Sequence, residues 1–187
     1  MLAENQPRFF VRLSDESDAE SFSAFNQRVL FTEPGLSDPF TSSLRNELSY
    51  ANDAVLGVND FTCFLLIQMP DNEIIGRALI FPNPTVDDYD ICAYSKEACE
   101  ILQANTCAVL GGDIIDPQYR GKGLHELLIQ KRIEWAKNQG FEYLFMPILK
   151  GNIKSLHNIQ KLDVDFLGSR IFTYEMPVIV ELYGRAL

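Results

Sequence analysis

The sequence predicts a mixed α/β fold, with one central mixed β-sheet and helices on both faces. Three observations predict it. Apolar runs of strand length alternate with stretches of helical period. Some successive strands are linked by tight turns and others by helices. In the second half a glycine-rich turn joins a strand to an amphipathic helix. Turn links make antiparallel neighbours and helical crossovers make parallel ones, so the sheet must contain both.

Phe9–Leu13 reads as the first strand. Ser14 is placed to cap a helix, with Asp15 and Glu16 in a first turn where the helix dipole favours acids. Ala19, Phe22, Phe25, Val29 and Leu30 then recur at helical spacing. Pro34, Gly35 and Pro39 break the pattern, and a second helix is expected over Ser42–Val55. Phe61–Met69 and Ile74–Phe81 are strands joined by turn residues Pro70 to Glu73. Residues 82–105 form a loop with a short helix at Lys96–Gln103.

Cys107–Ile115 is a strand interrupted by Gly111-Gly112, and paired glycines inside a strand mark a bulge or a close backbone approach. Pro117 ends it. Over Lys122–Gln139, Leu124, Leu127, Leu128 and Trp135 define a helical apolar face, widened by Ile129, Ile133 and Ala136. Gly140 is a fitting stop. Tyr143–Leu149 is a strand and Asn152–Leu162 a short helix; Phe166–Tyr174 and Val178–Tyr183 close the sheet. The whole chain, residues 1–187, reads as a single domain.

Net charge is −10. That field repels phosphate backbones and argues against nucleic acid as a partner; it serves solubility and favours cationic substrates such as amines. The longest apolar stretch, Phe61 to Met69, is far short of a membrane span, and Met1 to Arg8 carries no export signal. No membrane partner is expected. Cys63, Cys92, Cys99 and Cys107 form no CxxC pair and are expected as reduced thiols in a cytoplasmic protein. The two histidines, His125 and His157, lie far apart, so no metal site is expected.

The chemistry gathers at residues 113–124, Asp-Ile-Ile-Asp-Pro-Gln-Tyr-Arg-Gly-Lys-Gly-Leu. A strand ends, a glycine-rich turn follows and a helix begins. Such a turn aims free backbone N–H groups and the positive end of a helix dipole at one point. Gly121 and Gly123 let the backbone approach a ligand that a Cβ would block. Arg120 and Lys122 add positive charge. The implied ligand is a phosphate or pyrophosphate. Neither the Gly-x4-Gly-Lys-Ser/Thr pattern nor Gly-x-Gly-x-x-Gly is present in this turn.

Gln118, Gly121 and Gly123, with Pro117 and Tyr119-Arg120 before them and Leu124, Leu127 and Leu128 after them, resemble motif A (Gln/Arg-x-x-Gly-x-Gly/Ala) of the GNAT acyltransferases. The order of elements is similar along most of the chain. Asn152-x-x-Ser155 followed by Lys161-Leu162 is similar to the family's motif B helix, with two departures. Ile159 stands where many members carry a tyrosine, and Asp163-Val164 stands where Gly-Phe is usual. The N-terminal half matches no usable pattern.

The resemblance implies a splayed sheet and acetyl-CoA, or another acyl-CoA, as acyl donor, with no metal. It implies Ile114, Ile115, Gln118, Tyr119, Arg120, Gly121, Lys122, Gly123, Leu124, Asn152 and Ser155 as the cofactor-binding set. It further implies direct attack of a small-molecule or peptide amine on the thioester, with a backbone N–H of Ile114 or Ile115 as the oxyanion donor. Strand alternation puts Asp113 on the face of Ile115, which makes it the first candidate for the base, through a carboxyl raised by burial. Glu73 and Glu97 are alternatives, and Asp116 reads as a turn residue. Tyr174 and Tyr183 are candidates for the acid. His125, in the first turn of the helix, reads as exposed, and no histidine is placed to activate Cys107. Two other readings stay open. Phe22, Phe25, Phe31 and Phe40 could line a pocket for a longer acyl chain delivered by acyl-CoA or acyl carrier protein. The missing tyrosine at Ile159 leaves room for a coenzyme A sensor without turnover. The final strands could pair across a homodimer.

Overall fold

The computed structural model describes residues 8–32, 51–82, 84, 90–173 and 177–187. β1 (Arg8–Leu13) pairs with β2 (Thr62–Met69), and β2 turns back into β3 (Glu73–Pro82). Both hairpin partners are long apolar runs buried on both faces, as central strands are. β4 (Cys107–Ile115) lies antiparallel to β3. β5 (Tyr143–Leu149) lies parallel to β4, and the final strands β6 (Asp165–Thr173) and β7 (Pro177–Ala186) complete one sheet in the order β1-β2-β3-β4-β5-β7-β6. The strands fall where the sequence predicts them, within a few residues at each end.

Helix α1 (Ala19–Thr32), the helical residues 51–55 and α2 (Lys96–Ala104) cover one face. Phe22, Phe25, Val29, Val55 and Ala98 are buried there against Leu65, Leu79 and Phe81. Helices α3 (Leu124–Asn138) and α4 (Ile153–Gln160) cover the other face, with Leu128, Ile133 and Ile159 packed on Leu66, Ile80 and Leu144. The part of the expected Ser42–Val55 helix before residue 51 lies outside the described residues.

The feature that matters for function is where the sheet stops being continuous. β4 and β5 pair at only three positions, Cys107↔Tyr143, Ala108↔Leu144 and Val109↔Phe145. Beyond these, β4 stays with β3 as far as Ile115↔Gly76, and β5 stays with β7 as far as Leu149↔Val180. The two strands therefore part and leave a cleft between residues 110–115 and 146–149.

Two local expectations are corrected. The cap at the first helix is Asp15, not Ser14: Asp15 accepts from Ser17 N–H and Asp18 returns a bond to Asp15 N–H, a reciprocal box that a serine one residue earlier cannot make. Ser14 instead donates its N–H to Cys63 C=O and extends the strand pairing. The cysteines also differ from expectation. Cys63 and Cys107 are buried free thiols, but Cys92 and Cys99 form a disulfide that ties a single 3₁₀ turn to the start of α2. Seven residues of separation hide this pair in the sequence, because the chain reverses between them.

That turn docks on β6 through Gly168, which has φ +138 at a register shift in the β6–β7 pairing. A Cβ there would stand 2.6 Å from Tyr94 O, whereas at Gly57, φ +64, it would meet nothing. Gly168→Ala combines backbone strain with a clash and should cost about 2–4 kcal/mol; Gly57→Ala carries strain alone and should cost about 1 kcal/mol. Urea unfolding of the two variants measures the difference, and equal losses would refute the close approach.

Candidate active site

The parting of the sheet has a visible cause. Between Arg77↔Ile114 and Leu79↔Gly111, one residue of β3 faces two of β4, which is a bulge at Gly112 and Asp113. Gly112 adopts φ +63, and a Cβ on it would stand 2.9 Å from the Leu79 side chain. Two fully buried arginines hold the bulge. Arg77, on β3, donates from Nη1 to Gly112 O at 2.6 Å. Arg132, on α3, donates to Leu79 O at 2.9 Å and Gly111 O at 3.3 Å, and pairs with Asp113 Oδ2 at 2.7 Å. Arg77 shares its face with Leu79 and Phe81, opposite to α3, so the two guanidiniums grip the bulge from both sides of the sheet.

Past the bulge, Asp116 N–H donates to Ile75 O. Backbone groups alternate along an antiparallel pair, so Ile114 N–H also turns to β3, while the N–H and C=O of Ile115 point into the gap that β5 has left. The Ile115 carbonyl there accepts from Arg120 Nε at 2.9 Å.

The glycine turn follows directly. Asp116 caps a single 3₁₀ turn, Pro117–Tyr119, by accepting from Gln118 N–H. Asp116 and Glu73 are both held by Arg28 of α1, at 2.9 and 2.7 Å, and Glu73 accepts from the Tyr119 hydroxyl. The lead-in is thus fixed from α1. Gly121 and Gly123 have φ +77 and +74, and a Cβ on either would point into open space. Gly123 is the N-cap of α3 and no side chain caps that end. The first-turn N–H groups of α3 lack intrahelical partners by geometry. Lys122 Nζ stands over the rings of Tyr119 and Phe9, at 5.1 and 5.7 Å from their centroids. Unfilled left-handed glycines at an uncapped helix start fit an anionic diphosphate, which needs close backbone approach and N–H donors.

Across the gap, Asn152 caps α4 by accepting from Ser155 N–H. Asp163, at the position of the family glycine, has φ +56, a left-handed conformation that aspartate tolerates better than most residues. Ile159 is buried in the α3–α4 core. His125, on α3, meets β4 and α4: Nε2 lies 2.8 Å from Asp113 Oδ2 and Nδ1 lies 2.7 Å from Asn158 Nδ2. Its side chain is 20% exposed, so it does not sit in solvent as expected.

Asp113 faces α3 with Ile115, as alternation predicts, but its protonation runs the other way. Burial by itself raises the carboxyl, and the Arg132 charge with the His125 bond outweighs this and holds it below the usual carboxylate range. Held in that form, it is a poor proton acceptor at neutral pH. Glu97 is in the first turn of α2, on the opposite face of the sheet from α3. Tyr183 donates to Glu181 on β7, and Tyr174 lies outside the described residues. Burial raises the Cys107 thiol to about 11, which leaves it unreactive. Phe22 and Phe25 are core residues; Phe40 and the Phe31 side chain lie outside the described residues. Among the described residues no group of His, Cys, Asp and Glu is placed to hold a metal, and no helix is long and apolar enough to cross a membrane. The sequence reading missed Arg28, Arg77, Arg132 and Asn158. Arg132 carried a signal: it falls in the apolar stripe of α3, four residues after Leu128 and eight after Leu124.

A family model described as the acetyltransferase (GNAT) family matches residues 29–163. No curated protein matches the sequence significantly. Among solved structures, a GNAT-family acetyltransferase from Streptococcus pneumoniae superposes with TM-score 0.63 at 20% identity, covering 96% of this chain and 100% of its own. Ribosomal-protein-S5-alanine acetyltransferase from Vibrio fischeri gives 0.65 at 18%, covering 98% and 95%. The Salmonella typhimurium protein yncA, solved with its cofactor acetyl-CoA, gives 0.62 at 14%, covering 96% and 94%. At these identities the likeness is one of fold.

Removing the Arg132 charge while keeping its length, as in Arg132→Met, strands the Asp113 carboxylate. We expect a loss of about 3–5 kcal/mol at neutral pH. Because the folded-state value of Asp113 is lowered, its stabilisation is complete above the ordinary carboxylate range and is lost as pH falls through it. The deficit of the variant should therefore shrink in acid. Urea midpoints measured from neutral to acid pH test this, and a deficit independent of pH would rule the pair out as its source.

Proposed function

The chain belongs to the acetyltransferase (GNAT) family of acyl-CoA N-acetyltransferases, and on that premise we propose that it transfers an acetyl group from acetyl-CoA to an amine of a small molecule or peptide. The observation that carries this reading is the parting of β4 from β5 at a bulge that leads straight into the unobstructed glycine turn. We take residues 1–187 as one catalytic domain.

Acetyl-CoA supplies an activated thioester. In our reading the backbone N–H groups of Gly121, Lys122, Gly123 and Leu124 receive its pyrophosphate, framed by Gln118, Tyr119 and Arg120. The pantetheine arm follows β4 into the gap, where Ile115 N–H is the donor aimed at the carbonyl oxygen as charge develops. Ile114, whose N–H turns to β3, borders the arm through its place on β4 without donating. Asn152 and Ser155 border the far side of the gap. The amine enters from the α1 face and attacks the thioester carbon directly. A primary amine is mostly protonated at neutral pH, so it must lose a proton first, and the paired Asp113 is not the group to take it.

Acetyl-CoA should raise the melting temperature; at about 100 times Kd the gain is about 2.7 kcal/mol. Gly121→Asp places a charged side chain at a φ of +77 against the phosphates and should abolish the shift while the apo protein still folds. A folded wild type with no shift at millimolar ligand would remove the acetyl-CoA reading. Thiol release across a panel of amines and acyl lengths then identifies the acceptor. Binding with no turnover on any amine would leave the sensor reading, and faster turnover with long chains the acyl-chain one.

A further inference from the structure

Past the bulge, the edge of β4 that faces the gap offers one donor and one acceptor at Ile115, its N–H and its C=O. A strand paired with that edge would lie about 4.8 Å away and would put a donor nitrogen about 2.9 Å from the carbonyl oxygen. Arg120 Nε stands 2.9 Å from Ile115 O. The guanidinium therefore takes the place of a strand partner, where the gap meets the glycine turn. Arg120 closes the 3₁₀ turn and directly precedes Gly121, so its side chain folds back on the strand end while its backbone leads into the turn. The residue is exposed, so its side chain can leave the carbonyl without disturbing either core.

We propose that Arg120 selects the acyl donor by exchanging the Ile115 carbonyl for the donor's diphosphate. The inference rests on the acetyl-CoA reading. A pantetheine arm lying along β4 beside Ile115 needs the space that the guanidinium holds, so Arg120 withdraws to admit it. Withdrawal gives up a hydrogen bond made by a charged donor. A diphosphate at the glycine turn, next to the Arg120 backbone, gives the same cation a charged acceptor in return. The planar guanidinium matches phosphate oxygens well. The Ile115 N–H, which the thioester needs as a donor, takes no part in the exchange.

The consequence is a choice among donors that share one arm. Each of them must displace Arg120 to reach Ile115. Coenzyme A offers it a diphosphate, the prosthetic arm of an acyl carrier protein offers a single phosphodiester, and pantetheine offers no phosphate. Arg120 thereby opposes the arm and favours the diphosphate, two effects of opposite sign in one residue. A residue that only shaped the turn would weaken or spare all three together. The exchange involves hydrogen bonds alone, and no covalent bond or proton changes hands.

Calorimetric titration of the full-length protein with coenzyme A, phosphopantetheine and pantetheine measures this without turnover. Arg120→Met keeps much of the side chain's length and removes its donors. We expect this variant to bind pantetheine about 10-fold more tightly than the wild type and coenzyme A about 10-fold more weakly, the worth of one hydrogen bond to a charged group. Phosphopantetheine should fall between the two. Arg120→Lys, which keeps the charge, should recover part of the coenzyme A affinity. In the wild type, the Arg120 Nε–H signal in heteronuclear NMR, assigned by its loss in Arg120→Lys, should move when coenzyme A is added. Affinities for coenzyme A and pantetheine that change together in Arg120→Met, or an Nε–H signal that coenzyme A leaves in place, would overturn the exchange and leave acetyl-CoA binding standing. Failure of coenzyme A to bind the wild type at all would overturn both.

Discussion

Two buried arginines at a β-bulge are the constraint from which the rest of this structure follows. A guanidinium out of water costs several kcal/mol unless its donors are used. A bulge has the complementary defect, because its extra residue interrupts the ladder and leaves carbonyls without a strand partner. Here the two are brought together. Arg77 takes the Gly112 carbonyl from one face, and Arg132 takes Gly111, Leu79 and the Asp113 carboxylate from the other. The bulge redirects β4, β5 keeps its pairing with β7, and a cleft opens where a continuous sheet would have none. The proposed active site is the space left when the two strands do not run together.

The same economy governs charge. The protein is strongly acidic, and the turn proposed to bind a diphosphate is preceded by two acids, Glu73 and Asp116. Arg28 pairs with both, so neither projects an unopposed negative field at the mouth, and their remaining oxygens accept from the Tyr119 hydroxyl and the Gln118 backbone N–H. Lys122 is kept near the turn by aromatic faces rather than by an acid. What the turn offers an anion is therefore mainly backbone: two left-handed glycines and the uncapped start of α3. Such donors have fixed geometry and no side-chain entropy to lose, which suits recognition of a group whose shape does not vary.

How much of this was legible follows from the range of the interactions. Period-2 and helical patterns, and punctuation by Pro and Gly, are local, and they placed the strands and the turn within a few residues. Gly111-Gly112 announced the bulge for the same reason, since only a residue without a Cβ fits φ +63 against Leu79 and Arg77. The long-range pairs were silent. Nothing near Arg28 in sequence points to Asp116, and Asn158 has no local mark that it meets His125. Asp15 displaced Ser14 as a cap because the reciprocal bond from Asp18 counts only once both are in place. Arg132 is the instructive case: a charge inside an apolar stripe says that a buried acceptor exists, and the strand with two glycines was the place to look for it.

Asp113 stands where alternation put it, but its carboxyl is lowered where burial alone would raise it. Alternation put it beside Ile115, and a carboxylate beside the reacting centre suggests a base. A base must spend part of each cycle protonated, and protonating Asp113 would leave Arg132 charged and fully buried without its counterion. Breaking that buried pair is costly, which is why the carboxyl is held below its ordinary range despite burial. The clamp that opens the cleft thus forbids the carboxylate from titrating in the neutral range. In the proposed reaction the amine's proton must therefore go elsewhere. His125 and Arg132 both contact the same Asp113 oxygen, and His125 meets Asn158 through its other nitrogen, so the carboxylate is one member of a network joining β4, α3 and α4.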